Sequence, residues 1–217
     1  YTFTTADTGG ANRILNHVRP TSTTATWNYM PAPADGTIDD QYFKDIVVDS
    51  LGQSHIVMYN HPLGDAIYLI RSPDATTLSN LSIDGGGIPG ADVGRHISLA
   101  ICPTTSPIGN SLHVAYYDQT NQALKYARCL RSCGNEGSWA TSFVDPATPA
   151  NPPTDNRGEF AQITCDSSGI IHIGYYHRTA SSLQYANNAN QCGNAVLEPT
   201  EQCDDGNLND SDACRNN

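Results

Sequence analysis

Apolar and polar residues alternate in short runs along most of this chain, and the runs repeat. Residues 54–60 read SHIVMYN, 112–118 read LHVAYYD and 171–177 read IHIGYYH. Their histidines, His55, His113 and His172, stand 58 and 59 residues apart. So constant a period marks an internal structural repeat. Matching runs flank each histidine. Upstream lie DIVVDSLGQ (45–53), SLAICPTTSPIGN (98–110) and AQITCDSSGI (161–170). Downstream lie DAIYLIR (65–71), ALKYAR (123–128) and SLQYAN (182–187). Period-two alternation bounded by Asp-Ser-x-Gly and by Asn, Asp and Thr clusters predicts antiparallel strands in a meander, here A, B and C. A fourth run, D, follows at 75–84 and 138–145, and a Gly/Pro/Asp-rich link leads from each D to the next A. Asp92 and Asp155 each stand ten residues before a cysteine, Cys102 or Cys165, and these two cysteines are read as occupying the same position in two repeats.

Four strands and a link, repeated in this way, are the grammar of a β-propeller blade. The N-terminus reads as strands B, C and D without an A: YTFTTADT, NRILNHVR and TATWNYM. The last repeat runs A, B, C without an evident D. The expectation is an all-β, β-propeller-like array of about three and a half four-stranded antiparallel blades. Its parts are a partial blade at 1–38, blades at 39–90 and 91–152, and a partial blade at 153–190. A small disulfide-rich C-terminal module follows at 191–217. Within strand B, His113, Ala115 and Tyr117 are expected on one face of the sheet, and Val114, Tyr116 and Asp118 on the other.

The pattern D-S-S-G-x-x-H-I-x-Y-Y followed by L-x-Y-A resembles the repeat of bacterial secreted β-propellers. The resemblance covers roughly residues 1–190. It departs in the middle repeat, where PTTSPIGN replaces Asp-Ser-x-Gly, and at His177, where the family has Asp. It implies a fold more than an activity, because propellers host enzymes, lectins and scaffolds alike. The segment CGNAVLEPTEQCDDGNLNDSDAC (192–214) is of another kind and resembles the cysteine-rich repeat of myxobacterial-type surface proteins. Cys192, Gly193, Glu198, Glu201, Cys203, Asp204, Asp205, Gly206 and Asn207 carry that resemblance. The family has a further cysteine just after the position of Cys214, which is missing here. The resemblance implies an extracellular setting.

Composition narrows the partners. Of 217 residues only 15% are charged, and the formal net charge is −11. Such a chain repels nucleic acid rather than releasing its counterions, and it gains nothing at an anionic membrane. No apolar run approaches the roughly 20 residues of a membrane helix. The chain begins at Tyr1 without Met, which implies a processed or partial chain. Seven cysteines, Cys102, Cys129, Cys133, Cys165, Cys192, Cys203 and Cys214, read as a disulfide framework of an oxidising, extracellular compartment, with one left over.

Candidate chemistry is sparse. Asp204, Asp205, Asn207, Asn209, Asp210 and Asp212 crowd oxygen ligands into nine residues and fit Ca²⁺, without EF-hand spacing. The repeated histidines sit too far apart around an array to share one metal, so a structural role is expected. No catalytic motif is recognisable, and a non-enzymatic protein is expected. Trp27, Trp139, Tyr117 and Tyr176 are the aromatic candidates for stacking on sugar, and Tyr116 and Tyr175 accompany them. Asn80 and Asn209 stand in glycosylation sequons. Two functions follow. The leading one is self-association, because a blade lacking A at one end and a blade lacking D at the other leave edges that pair head-to-tail into a filament or surface layer. The alternative is a lectin-like, carbohydrate-binding module.

Overall fold

The computed structural model describes residues 2–6, 14–20, 27–31, 43–71, 78–102, 111–135, 137–145 and 155–188, the first three segments as backbone only. Regular structure among the described residues is entirely β-strand, in four antiparallel sheets. The first contains β1 (Thr2–Ala6), β2 (Ile14–Pro20) and β3 (Trp27–Pro31). The second contains β4 (Lys44–Val48), β5 (Ser54–Asn60), β6 (Asp65–Arg71) and β7 (Leu78–Asp84). The third contains β8 (Val93–Cys102), β9 (Ser111–Asp118), β10 (Ala123–Cys129) and β11 (Ala140–Asp145). The fourth contains β12 (Arg157–Cys165), β13 (Ile171–His177) and β14 (Ser182–Asn187). Each sheet is a meander, with strands paired in chain order. No helix of the described residues is long and apolar enough to cross a membrane.

Local chemistry closes the A-to-B turns. In DSLG and DSSG the first carboxylate accepts two backbone N–H groups across the turn. Asp49 Oδ1 takes Leu51 N at 2.9 Å and Gln53 N at 2.8 Å. Asp166 Oδ1 takes Ser168 N at 2.8 Å and Ile170 N at 2.9 Å. Gly52 and Gly169 follow at φ 79° and 86°, a conformation that other residues adopt only under strain.

Alternation then decides what each face meets. In the third sheet Leu112, Val114 and Tyr116 pack with Val57, Tyr68 and Leu81 of the second sheet. The other face, with Ala100, Ala115 and Leu124, packs with Ala161, Ile163, Ile173 and Tyr175 of the fourth. The split of strand B predicted from sequence is the split observed. Because both faces are covered, β5 and β9 are buried at every position. In β13 buried and half-buried positions alternate up to Tyr176, since among the described residues only one face of the fourth sheet is covered.

One contact sets how closely neighbouring sheets approach. Gly94 in β8 lies flat on Ala66 of β6, and Gly158 in β12 lies flat on Leu124 of β10. A Cβ at Gly94 would stand 2.8 Å from Ala66 Cα, and one at Gly158 would stand 2.7 Å from Leu124 Cα. Both glycines have left-handed φ, 102° and 106°.

The ladder shifts two equivalences that the sequence suggested. Cys102 lies opposite Ser111, whereas Cys165 lies opposite Ile171, the counterpart of Leu112. The cysteines are therefore one position out of phase: the bulges in β8 and β12 match, and they set Ile101, not Cys102, as the counterpart of Cys165. They nevertheless join as a disulfide across the third and fourth sheets, with Cα atoms 5.5 Å apart. Closing a loop with 63 residues of sequence separation contributes about 4 kcal/mol through the unfolded chain. Likewise the counterpart of Asp92 is Asn156, not Asp155. Both donate their backbone N–H to a threonine, Thr120 and Thr179, at 2.8 Å. Cys129 and Cys133 form a second, local disulfide. Cys192, Cys203 and Cys214 lie outside the described residues.

Gly158→Ala is expected to destabilise the protein by about 2 kcal/mol or more, since the methyl meets backbone and φ is wrong for alanine. Urea denaturation measures it; a midpoint within error of the parent would show that the contact is not a constraint.

Candidate functional site

Each strand-B histidine is tied to a tyrosine thirteen residues on, in the neighbouring strand. His55 Nδ1 lies 2.7 Å from the Tyr68 hydroxyl, His113 Nδ1 lies 2.5 Å from Tyr126 and His172 Nδ1 lies 2.5 Å from Tyr185. The rings of each pair lie near parallel, with centroids 5.8 to 6.1 Å apart. The other ring nitrogen faces the A-to-B turn. It meets Asp49 at 3.4 Å, Ser111 at 2.7 Å and Asp166 at 3.3 Å. The serine stands in for the carboxylate where the middle repeat lacks Asp-Ser-x-Gly. No group of three or more His, Cys, Asp or Glu is placed to hold a metal among the described residues. A feature built three times over in this way holds strands together. Burial drives the His113 ring down to a pKa of about 4, with Arg128 nearby adding to the effect. Burial also lowers His55, against the pull of Asp49.

A second recurring device joins sheets. Tyr116 of β9 donates to Asp84, at the end of β7, at 2.7 Å, and Tyr175 of β13 donates to Asp145, at the end of β11, at 2.5 Å. Lys125 also binds Asp84, and Arg157 binds Asp145. Met58 holds the matching place in β5.

A row of rings crosses the starts of β4, β8 and β12. Phe43 and His96 have centroids 4.2 Å apart, and His96 and Phe160 4.4 Å apart. Tyr176 lies 6.3 Å from Phe160. His96 and Phe160 sit at φ 51° and 54°, two residues beyond Gly94 and Gly158. Bulky residues in this region store on the order of 1–3 kcal/mol of strain each. The pattern Gly-x-aromatic, at GRH and GEF, was readable in the sequence at matching points of the two repeats, yet alternation alone does not single it out.

The face of the fourth sheet turned away from the third presents three cross-strand rows. Thr164, His172 and Asn187 form one; Gln162, Gly174 and Tyr185 form the next. Glu159, Tyr176 and Leu183 form the third, with Phe160 beside them. Phe160, Leu183 and Tyr185 are 61%, 82% and 60% exposed. Glu159 is the one charged residue of these rows, and it is 4% exposed. At the border Arg178 donates both a 2.7 Å Nε bond and a 2.7 Å NH2 bond to Glu159, so its charge is already met. The Tyr185 hydroxyl also receives Asn187 Nδ2 at 3.2 Å, which with His172 pins the ring in place.

The aromatic candidates from sequence separate. Tyr176 belongs to the exposed face. Tyr117, its counterpart in the third sheet, is 1% exposed, and burial with Glu159 nearby pushes its phenol up to about 12. Trp139 packs 5.0 Å from the Tyr68 ring and donates Nε1–H to Cys133 O at 3.0 Å, so it serves the core at the far end of the third sheet. Tyr116 and Tyr175 serve the inter-sheet bonds. Trp27 opens β3, and its side chain lies outside what is described. Asn80 is exposed on β7. Asp204, Asp205, Asn207, Asn209, Asp210 and Asp212 lie outside the described residues.

No protein-family model and no curated protein matches the chain. Remote likeness is found to a fucose lectin from Kordia zhangzhouensis solved in complex with methyl-fucoside. It is 12% identical, covers 66% of this chain and 90% of that one, and has a TM-score of 0.41. A second is 1,3Gal43A, an exo-beta-1,3-galactanase from Clostridium thermocellum. It is 12% identical, covers 83% of this chain and 40% of that one, and has a TM-score of 0.40.

The buried histidines make a pH prediction. The folded pKa of His113 lies below its unfolded value near 6.5, so the unfolded chain binds more protons between the two. Its contribution is full above pH 6.5 and is lost as pH falls toward 4, approaching roughly 3 kcal/mol. Urea midpoints measured from pH 7.5 to 4.5 should fall more steeply for the parent than for His113→Gln. Parallel curves would refute the assignment.

Proposed function

We propose that this chain is a non-enzymatic, extracellular protein of β-propeller type that binds carbohydrate on the outward face of its fourth sheet. The supporting observation is how that face differs from its covered counterparts. Where the third sheet buries Ser98 and Ala100 beneath its neighbour, the fourth carries the longer or more polar Gln162 and Thr164. An interior face is thus rewritten with amide and hydroxyl groups around fixed aromatic rings. Sugars ask for this combination: flat rings for their C–H faces, neutral polar groups for their hydroxyls. The disulfides and the cysteine pattern of the tail support an extracellular location.

Self-association is a second reading, favoured by Leu183. Its counterparts Ala66 and Leu124 are fully buried under the glycine of the following sheet, while Leu183 is 82% exposed. In this reading another copy of the chain covers the face, head-to-tail, and builds a filament or surface layer.

The two readings part experimentally. On an array of neutral glycans the parent should bind, and Gln162→Ala, at an exposed position, should bind about tenfold more weakly, a change of 1.4 kcal/mol, with its thermal midpoint within a few degrees. Silence across the array removes the carbohydrate reading. In sedimentation velocity, concentration-dependent association that disappears in Leu183→Glu supports assembly. A monodisperse monomer at high concentration rules assembly out.

A further inference from the structure

Gly174 stands in the middle of β13, where a glycine costs strand stability and gives no side chain to pack. The usual reasons for a strand glycine are absent. Its φ is not left-handed, unlike that of Gly94 or Gly158. A Cβ added to it would meet nothing within 4 Å. The matching positions of the second and third sheets are Val57 and Ala115, so the same backbone accepts side chains elsewhere. A glycine that neither the backbone nor its described neighbours require marks close approach by something other than the described residues.

Four side chains surround this bare patch. Gln162 lies across the ladder on one side and Tyr185 on the other. His172 and Tyr176 precede and follow it along β13 on the same face, their Cα atoms about 13 Å apart at the usual strand rise. We propose that Gly174 is the floor of a subsite for one uncharged pyranose unit of a glycan, with Tyr185 as the stacking ring and the Gln162 amide as a hydroxyl partner. This rests on the carbohydrate reading and names its ligand class. Neutrality follows from the surroundings. The nearest guanidinium, Arg178, is held by Glu159, and Asp166 is engaged with His172 and its own turn. Among the described residues around the patch no unmet cation is offered to an acidic sugar, and the chain as a whole carries a net charge of −11. The ring is also held before the ligand arrives, because the His172 and Asn187 contacts to its hydroxyl limit the ordering cost of binding.

Isothermal titration of the whole chain with laminarihexaose, cellohexaose, mannohexaose and trigalacturonate tests this. The parent should bind at least one neutral hexasaccharide more tightly than trigalacturonate. Gly174→Val fills the floor, starting from a Cβ that meets nothing within 4 Å. It should weaken that binding at least tenfold while the melting temperature stays level or rises by about 2–4 °C. Gly174→Ala should fall between. Parent-like affinity in Gly174→Val overturns the subsite while leaving the carbohydrate reading standing. Tighter binding of trigalacturonate overturns the neutral ligand class. Failure of the parent to bind any neutral oligosaccharide overturns the reading and the subsite together.

Discussion

Everything in the second to fourth sheets depends on one sheet lying close against the next at a point where there is no room for a side chain. The first strand of each following sheet carries a glycine onto the third strand of the one before, Gly94 on Ala66 and Gly158 on Leu124. That approach closes the apolar faces of neighbouring sheets into shared cores. It also brings the strand-B tyrosines within reach of the carboxylates that end the preceding sheet. Two-sided burial of β9 follows, and with it the cost of any polar group there that lacks a partner.

Recurrence separates framework from candidate function. The histidine–tyrosine pairs are built three times with the same spacing, and the tyrosine–aspartate bonds between sheets twice. Such features answer a need of the fold at each step, and only in the third pair is the tyrosine ring also open to solvent, Tyr185 being 60% exposed. A binding site is better sought where the repeat departs from itself. Gln162 and Thr164 replace Ser98 and Ala100, Gly174 replaces Ala115, and Phe160 replaces His96, all on one face of the fourth sheet. Strain stored at His96 and Phe160 belongs to the bulge that both strands share. At Phe160 it holds an aromatic ring 61% in solvent, where packing alone gives little in return.

Much of this was written in the chain. Period-two alternation places the strands and assigns each side chain to one of two faces, because successive Cβ atoms in a strand must point opposite ways. The Asp-Ser-x-Gly turns announce themselves, since few residue types can supply both the accepting carboxylate and the left-handed step. Repeat arithmetic was less exact. It matched residues of one type and set Cys102 with Cys165 and Asp92 with Asp155, whereas the ladder pairs, with the same bulges in both strands, set Ile101 with Cys165 and Asp92 with Asn156.

Which face of a sheet is covered, and which is left to solvent, is a property of three-dimensional neighbours. Tyr117 and Tyr176 occupy the same place in the same phrase, yet one is buried beneath the next sheet and the other stands at an open face. Trp139 reads as a ring that sugars would seek and is instead spent on the core beside Tyr68. Sequence by itself determined the strands, their order and the direction of side chains away from the bulges, because those are local consequences of alternation and turn chemistry. Only the tertiary structure decided which of these identical directions lead into a core and which lead out, because burial depends on the sheet that lies opposite.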